Sequence, residues 1–132
     1  MWVLGLTVAM LAIAGVSIDL WRAVATQRSV STVVDSAAVA GSSGIDEAAY
    51  RSSGGQTVVL DVARARSLAE KNLASQPHAA SLVDVVIDVT PDRISVRAGR
   101  QVDFTLVRVL QVGRDPAVLH ATATADPRRT SP

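Results

Sequence analysis

The hydropathy pattern begins with an uncharged apolar run from Trp2 to Ile18, which is 17 residues long and ends at Asp19. As a helix this run would measure about 26 Å, close to the lower limit for crossing a hydrocarbon core of about 30 Å. Trp21 and Arg22 follow it, and such an aromatic and basic pair is typical of a helix that meets lipid headgroups. The pattern predicts a transmembrane segment over residues 1–18, with Asp19 at the interface.

Two other interpretations of the apolar run stay open. A cleaved signal peptide is compatible with the small residues around Ala14 and Ala40, although no basic side chain precedes the run. A core helix of a soluble protein would need more covering surface than so short a chain supplies. The positive-inside rule, applied to Arg22 and Arg28, would place the rest of the chain in the cytoplasm. However, the sequence starts directly within its apolar run, and we expect a short basic leader to precede it.

The segment after the apolar run is predicted to continue the same helix. Residues 19–40 contain neither proline nor glycine, and apolar residues recur at spacings of three and four, as on one buried helix face. One helix of about 60 Å therefore reaches from the membrane to about Val39, and residues 19–41 form its amphipathic part. The candidate surface through which this helix contacts the head or neighbouring helices comprises Asp19, Trp21, Arg22, Arg28, Val30, Val34, Ala37 and Ala38.

The remainder of the chain predicts a small head that makes the fold α+β. Residues 42–60 are rich in glycine and serine and are expected to form a loop with at most one helical turn. The head proper covers residues 61–132, with a flexible tail from about residue 127. Asp61 is a suitable N-cap for a second helix, which Pro77 ends. The predicted buried stripe of that helix is Val62, Ala65, Leu68, Ala69 and Leu73.

The last fifty residues predict an antiparallel meander of three to four strands. The segment 90–93, "TPDR", supplies a turn between the first two strands. Pairing Ile87 with Val96, and Val89 with Ile94, keeps the aliphatic side chains on one face. The first strand is expected to point four alternate residues to that face: Val83, Val85, Ile87 and Val89.

A further strand is predicted after Gly99, which is expected to turn the chain. Val102, Phe104 and Leu106 would share a face there, and "AVLHATATA" at 117–125 would form the last strand. The second helix is expected to cover the aliphatic face made by Val85, Ile87, Val96 and Phe104, because the helix and the sheet are each apolar on one side only.

Composition narrows the classes of function. The chain has 13 basic and 12 acidic residues, a net charge of +1, and no cysteine. This balance favours no nucleic-acid surface, and the absence of cysteine excludes thiol nucleophiles, disulfides and Cys-ligated zinc. His78 and His120 are 42 residues apart and lack ligand or triad spacing. We expect no enzymatic activity, no cofactor or metal, and no small-molecule substrate.

The acidic residues of the first strand are better explained by structure than by catalysis. Asp84 and Asp88 are predicted to share a sheet face with Arg93 and Arg97. Cross-strand ion pairs are the common role of such an arrangement, and we expect these pairs rather than general acid and base groups.

Three stretches carry a resemblance to a known family: "GVSIDLWRAVATQRSVSTVVDSAAVAG" at 15–41, "LDVARARSLAEKNL" at 60–73 and "VLHATATADP" at 118–127. Together they resemble the TadE/TadG-like proteins of Flp (tight adherence) pilus systems, particularly the short actinobacterial type, over most of the chain. One feature departs from the pilin pattern. The glycine and glutamate that a prepilin peptidase recognises are absent, since Gly5 is followed by Leu6.

The resemblance implies a pseudopilin-like molecule with a long N-terminal helix and a small extracytoplasmic head. Such a protein would span the cytoplasmic membrane once and serve as a minor pilin or accessory component of a Tad/Flp-type pilus or secretion system. Its partners would be other pilin-like or Tad-system proteins, contacted through the N-terminal helix. The alternative is an anchored or secreted binding module of the cell envelope that is unrelated to pili.

Overall fold

The fold is α+β, as the sequence predicts, with a long N-terminal helix and a three-stranded antiparallel sheet. The computed structural model describes residues 2–102 and 117–127. Within them the strand order is β1-β2-β3, so that the strands form a meander. The helices are α1 (Trp2–Ser42), α2 (Glu47–Ser52) and α3 (Val62–Ser75), a short 3₁₀ turn covers Ala79–Ser81, and the strands are β1 (Leu82–Thr90), β2 (Arg93–Val102) and β3 (Ala117–Ala125).

Helix α1, rather than the second predicted helix, covers most of the sheet. It packs on β2 and β3, whereas α3 lies beside α1 and contacts β1. The expectation that the second helix would cover the aliphatic face is therefore correct only for β1, because the second half of α1 offers the longer apolar stripe. The residues that share this core include Val30, Val34, Ala37, Ala38, Ala65, Ala69, Ile94 and Val96.

Helix α3 follows its sequence signals closely. Asp61 accepts a hydrogen bond from the backbone N–H of Arg64 at 3.0 Å, as expected of an N-cap. The helix ends at Ser75, two residues before Pro77. Its predicted stripe is buried at Ala65, Ala69 and Leu73, half-buried at Leu68 and exposed at Val62.

The segment predicted as a loop contains α2, a helix of six residues that exceeds the single turn expected. Asp46 caps it by accepting from the N–H of Ala48 at 2.9 Å. Backbone hydrogen bonds close the segment at both ends, from Asp46 to the carbonyl of Val59 and from Asp61 to the carbonyl of Gly44, each at 2.9 Å. The side-chain cap and this closure stabilise a short helix that periodicity does not reveal.

The predicted register of β1 and β2 is confirmed, since Ile87 lies opposite Val96 and Val89 lies opposite Ile94. The expected position of Val83 is wrong. A bulge between Val83 and Val86 reverses the alternation, so that Val83 lies opposite Gly99 on the outer face of the sheet.

Gly99 does not turn the chain, contrary to the prediction. Strand β2 continues through it to Val102, and Gly99 lies opposite His120 in β3. A Cβ at this position would lie 2.9 Å from Cδ2 of His120, so the glycine provides room for that ring. The predicted strand containing Phe104 and Leu106, and the end of the predicted tail at 128–132, lie outside the described residues.

Candidate functional site

The first half of α1 is a candidate membrane anchor. Every residue from Trp2 to Ala14 is exposed, including Leu4 and Leu11 at 68% each. By length and composition α1 can cross a membrane, and only 11% of its most apolar 18-residue window is buried in the structure. Exposed apolar surface of this extent is typical of contact with lipid or with other apolar helices.

Asp19 lies on the buried side of α1. It is 3% exposed and has an interaction partner within the chain, and Gly15 is buried one turn earlier. The helical repeat places both residues on the same side as Val30 and Ala37. The buried side of α1 therefore extends about 39 Å from Gly41 to Gly15, and the chain covers one side of the last turn of the predicted membrane segment.

The other predicted interface residues separate into two groups. Val30, Val34, Ala37 and Ala38 are at most 1% exposed and join α1 to the head. Trp21, Arg22 and Arg28 are exposed, with Trp21 at 72%. The helical repeat places Trp21 and Arg28 opposite the buried stripe, and Arg22 on its flank. Only the second group is open to lipid or to a neighbouring molecule.

A polar cluster that the sequence did not predict joins α1 to α3. Ser36 Oγ donates to Asn72 Oδ1 at 3.0 Å, and Gln76 Nε2 donates to Ser36 Oγ at 3.1 Å and to Asn72 Oδ1 at 3.3 Å. These bonds link two helices that also pack through the small residues Gly41, Ala65 and Ala69. Polar residues on helix surfaces are common, so sequence spacing alone does not single out these three.

Among the described residues, the contact between His120 and Asp84 most resembles a catalytic pair, and it was not predicted from the sequence. Its Nε2 lies 3.0 Å from Asp84 Oδ2, across Gly99 in the middle strand. Asp84 has a φ of 52° within the bulge of β1, which directs it towards β3. His78 is exposed and has a φ of 67° before the 3₁₀ turn.

The predicted ion pairs of this face have other partners. Asp84 is within hydrogen-bonding distance of His120 instead, and Arg93 Nε lies 3.3 Å from Asp126 Oδ1. In the described part of the chain neither Arg93 nor Arg97 forms an ion pair with Asp88. The bulge explains the change at Asp84, because it moves this carboxylate away from the position that unbroken strand alternation would give it. Across residues 2–102 and 117–127, no three histidine or acidic side chains are grouped to hold a metal ion.

A charged cluster ties α2 to α3 near the C-terminal end of α1. Glu47 accepts from Arg51 Nη2 at 2.8 Å and from Arg64 Nη1 at 3.1 Å. Hydrogen bonds from Arg64 and then Arg51 lower the pKa of Glu47 below its ordinary value. The cluster borders a cavity of about 250 Å³ that is also lined by Ser43, Ile45 and Tyr50.

The described residues thus present a candidate membrane anchor, a head attached to the same helix, and an exposed helix side that the head leaves uncovered. Comparison of the chain with protein-family models, with curated proteins and with solved structures finds no match. The features that bear on function are therefore the candidate anchor and the two sides of α1.

Proposed function

We propose that this chain is a membrane-anchored structural component of a Tad/Flp-type pilus or secretion system, a minor pilin or accessory protein rather than an enzyme. The observation that carries the proposal is the unbroken course of α1 over 41 residues. Its residues 2–14 are exposed on all sides, and its second half contributes to the core of the head.

This arrangement favours a structural role because the anchor and the head share one rigid element. A helix without a break transmits the position and orientation of its membrane segment directly to the head, which a flexible linker would not do. An enzyme or receptor that is only held at the membrane can be attached through a flexible linker. A subunit whose head must keep a fixed position relative to neighbouring helices requires a continuous helix.

The choice of a Tad/Flp-type assembly in this proposal comes from the resemblance of the sequence to TadE/TadG-like proteins. Its longest stretch, residues 15–41, is the part of α1 that leaves the membrane and packs on the head. Under this proposal the chain crosses the cytoplasmic membrane once, the head lies outside the cytoplasm, and α1 contacts other pilin-like or Tad-system proteins.

Membrane retention and topology can be measured together. The chain has no cysteine, so Val86→Cys, at a position 56% exposed, introduces a single thiol on the head. We expect the full chain to stay in membranes after carbonate washing, and a membrane-impermeant maleimide to label this thiol in intact cells. Labelling only after lysis would place the head in the cytoplasm and contradict the proposal.

The link to pili needs a separate measurement in the source organism. We expect deletion of the gene to reduce the amount of assembled surface pili, and expression of the full chain to restore it. Mass spectrometry of the native protein should show that α1 is retained. Normal pili in the deletion strain would instead support the alternative of an envelope binding module unrelated to pili.

A further inference from the structure

The side of α1 that faces away from the head carries a regular stripe. Its members follow each other at alternating spacings of four and three residues, which is the repeat of a helix seam in paired or bundled helices. All of them are exposed, with Trp21 at 72% and Val39 at 65%. We name as the outer stripe the residues Trp21, Ala25, Arg28, Thr32, Asp35 and Val39.

The outer stripe continues into the membrane anchor without a change of spacing. Three and seven residues before Trp21 come Ile18 and Ala14, and Leu11 follows three residues earlier, all of them exposed. A neighbouring helix could therefore follow α1 from the membrane to the level of the head without meeting the chain's own sheet.

Two opposite charges lie on the outer stripe. Arg28 and Asp35 are exposed, and neither forms an ion pair with another residue in the described part of the chain. They are seven residues apart, or about 10.5 Å along the helix, which exceeds the spacing at which side chains of one helix pair. Each charge is thus available to a second molecule.

We infer that the outer stripe is the contact surface for a second copy of this chain, with neighbouring copies parallel and displaced by about seven residues along the helix axis. The inference rests on the proposed anchoring function, since anchors that enter one membrane in the same direction make the helices parallel. The heads then lie on the outside of the assembly, on the far side of each helix.

The charges select the displacement. Parallel helices in exact register would place Arg28 against Arg28 and Asp35 against Asp35, and like charges at such positions disfavour pairing. A displacement of seven residues places Arg28 of one copy against Asp35 of the next. The same displacement brings Trp21 opposite Arg28, where a guanidinium can stack on an indole.

Cysteine cross-linking tests the displacement in the full chain. Two differently tagged copies, one carrying Ala25→Cys and the other Thr32→Cys, are expressed together in the source organism and oxidised. We expect a disulfide between the two different copies and at least several-fold less between identical ones. Dimers linked mainly through Ala25→Cys alone would show copies in register, and the absence of any link would show no contact, so either result overturns the inference.

Charge exchange provides the second test and guards against effects on folding. Both positions are exposed, so Arg28→Glu and Asp35→Arg should leave the thermal unfolding of the chain unchanged. Each single variant should reduce the yield of the mixed disulfide several-fold, and the double exchange should restore it. Unchanged yields in both single variants would overturn the charge pairing. Loss of the chain from the membrane fraction would instead contradict the proposed anchoring function.

Discussion

Gly41 lies where the long helix packs closely against the head. A Cβ added there would overlap Cδ1 of Ile94 and lie 3.0 Å from the backbone oxygen of Ala65. Ile94 is fully buried in the middle strand. The glycine therefore permits a close approach of α1 to both α3 and the sheet. This contact could not be predicted from the sequence, because a glycine near a helix end is equally typical of a C-cap.

We predict that Gly41→Ala destabilises the chain by about 1–3 kcal/mol, because the added methyl group overpacks this contact. Gly5→Ala is the matched control, since nothing lies within 4 Å of a Cβ at that position of the same helix, and it should cause no loss of stability. Thermal unfolding of the full chain in detergent measures both. Equal unfolding temperatures for the two variants would show that Gly41 is not tightly packed.

The contact of Asp84 with His120 shows where residue-level prediction reaches its limit. Strand alternation and turn chemistry correctly paired Ile87 with Val96, because aliphatic side chains that share a face determine the register. The same reasoning assumes that alternation is unbroken. One extra residue in the bulge of β1 moved Asp84 towards β3 and left Val83 on the outer face, and the chain around it contains no glycine or proline to signal the irregularity.

At the scale of elements, the strongest periodic signals were the most reliable. The apolar repeat of α1 and the capped stripe of α3 predicted both helices, because burial of one helix face constrains many positions at once. Their places relative to the sheet were less predictable. Both helices are apolar on one side, and the pattern alone does not show that the longer stripe of α1, rather than α3, lies over β2 and β3.

The short helix α2 depends on its charges more than on burial, since none of its residues is buried. The lowered pKa of Glu47 means that its ionised form is favoured in the folded chain. Its contribution to stability is therefore present above the unfolded-state pKa and is lost as the pH falls through the folded-state pKa. Protonation weakens the contacts with Arg51 and Arg64.

We predict that Glu47→Gln lowers the unfolding temperature of the full chain at pH 7, and that the difference from the unmodified chain shrinks as the pH falls below about 4. Glu70→Gln on α3 is the control, because Glu70 forms no ion pair with the described residues, and its effect at pH 7 should be smaller. Unfolding curves at several pH values measure both. A Glu47→Gln difference that is independent of pH would contradict this role of the carboxylate.

At the scale of the whole molecule, α1 has two sides that differ in burial. The side towards the head is buried from Gly15 to Gly41, although several of its central residues are only half-buried. The opposite side is exposed along the entire helix. The sequence predicted the amphipathic second half of α1, but it could not show that cover on one side reaches Gly15, because an all-apolar segment has no polar face from which to infer it.

Two substitutions at similarly exposed positions can test whether lipid surrounds the first part of α1. Leu11 is 68% exposed in α1, and Val86 is 56% exposed on the outer face of the sheet. We predict that Leu11→Lys weakens membrane insertion by about 2.5–3.5 kcal/mol, because a lysine near the centre of a spanning helix must leave water. Val86→Lys should leave membrane retention unchanged, because its side chain is already in water.

Fractionation of cells that produce each full-length variant, followed by carbonate washing, measures this difference. The Leu11→Lys chain should move partly to the soluble fraction, or be degraded, while the Val86→Lys chain stays with the membranes. If both variants remained in the membrane to the same extent, Leu11 would not lie in lipid. The exposed apolar surface of α1 around Leu11 would then have to be covered by protein rather than by lipid.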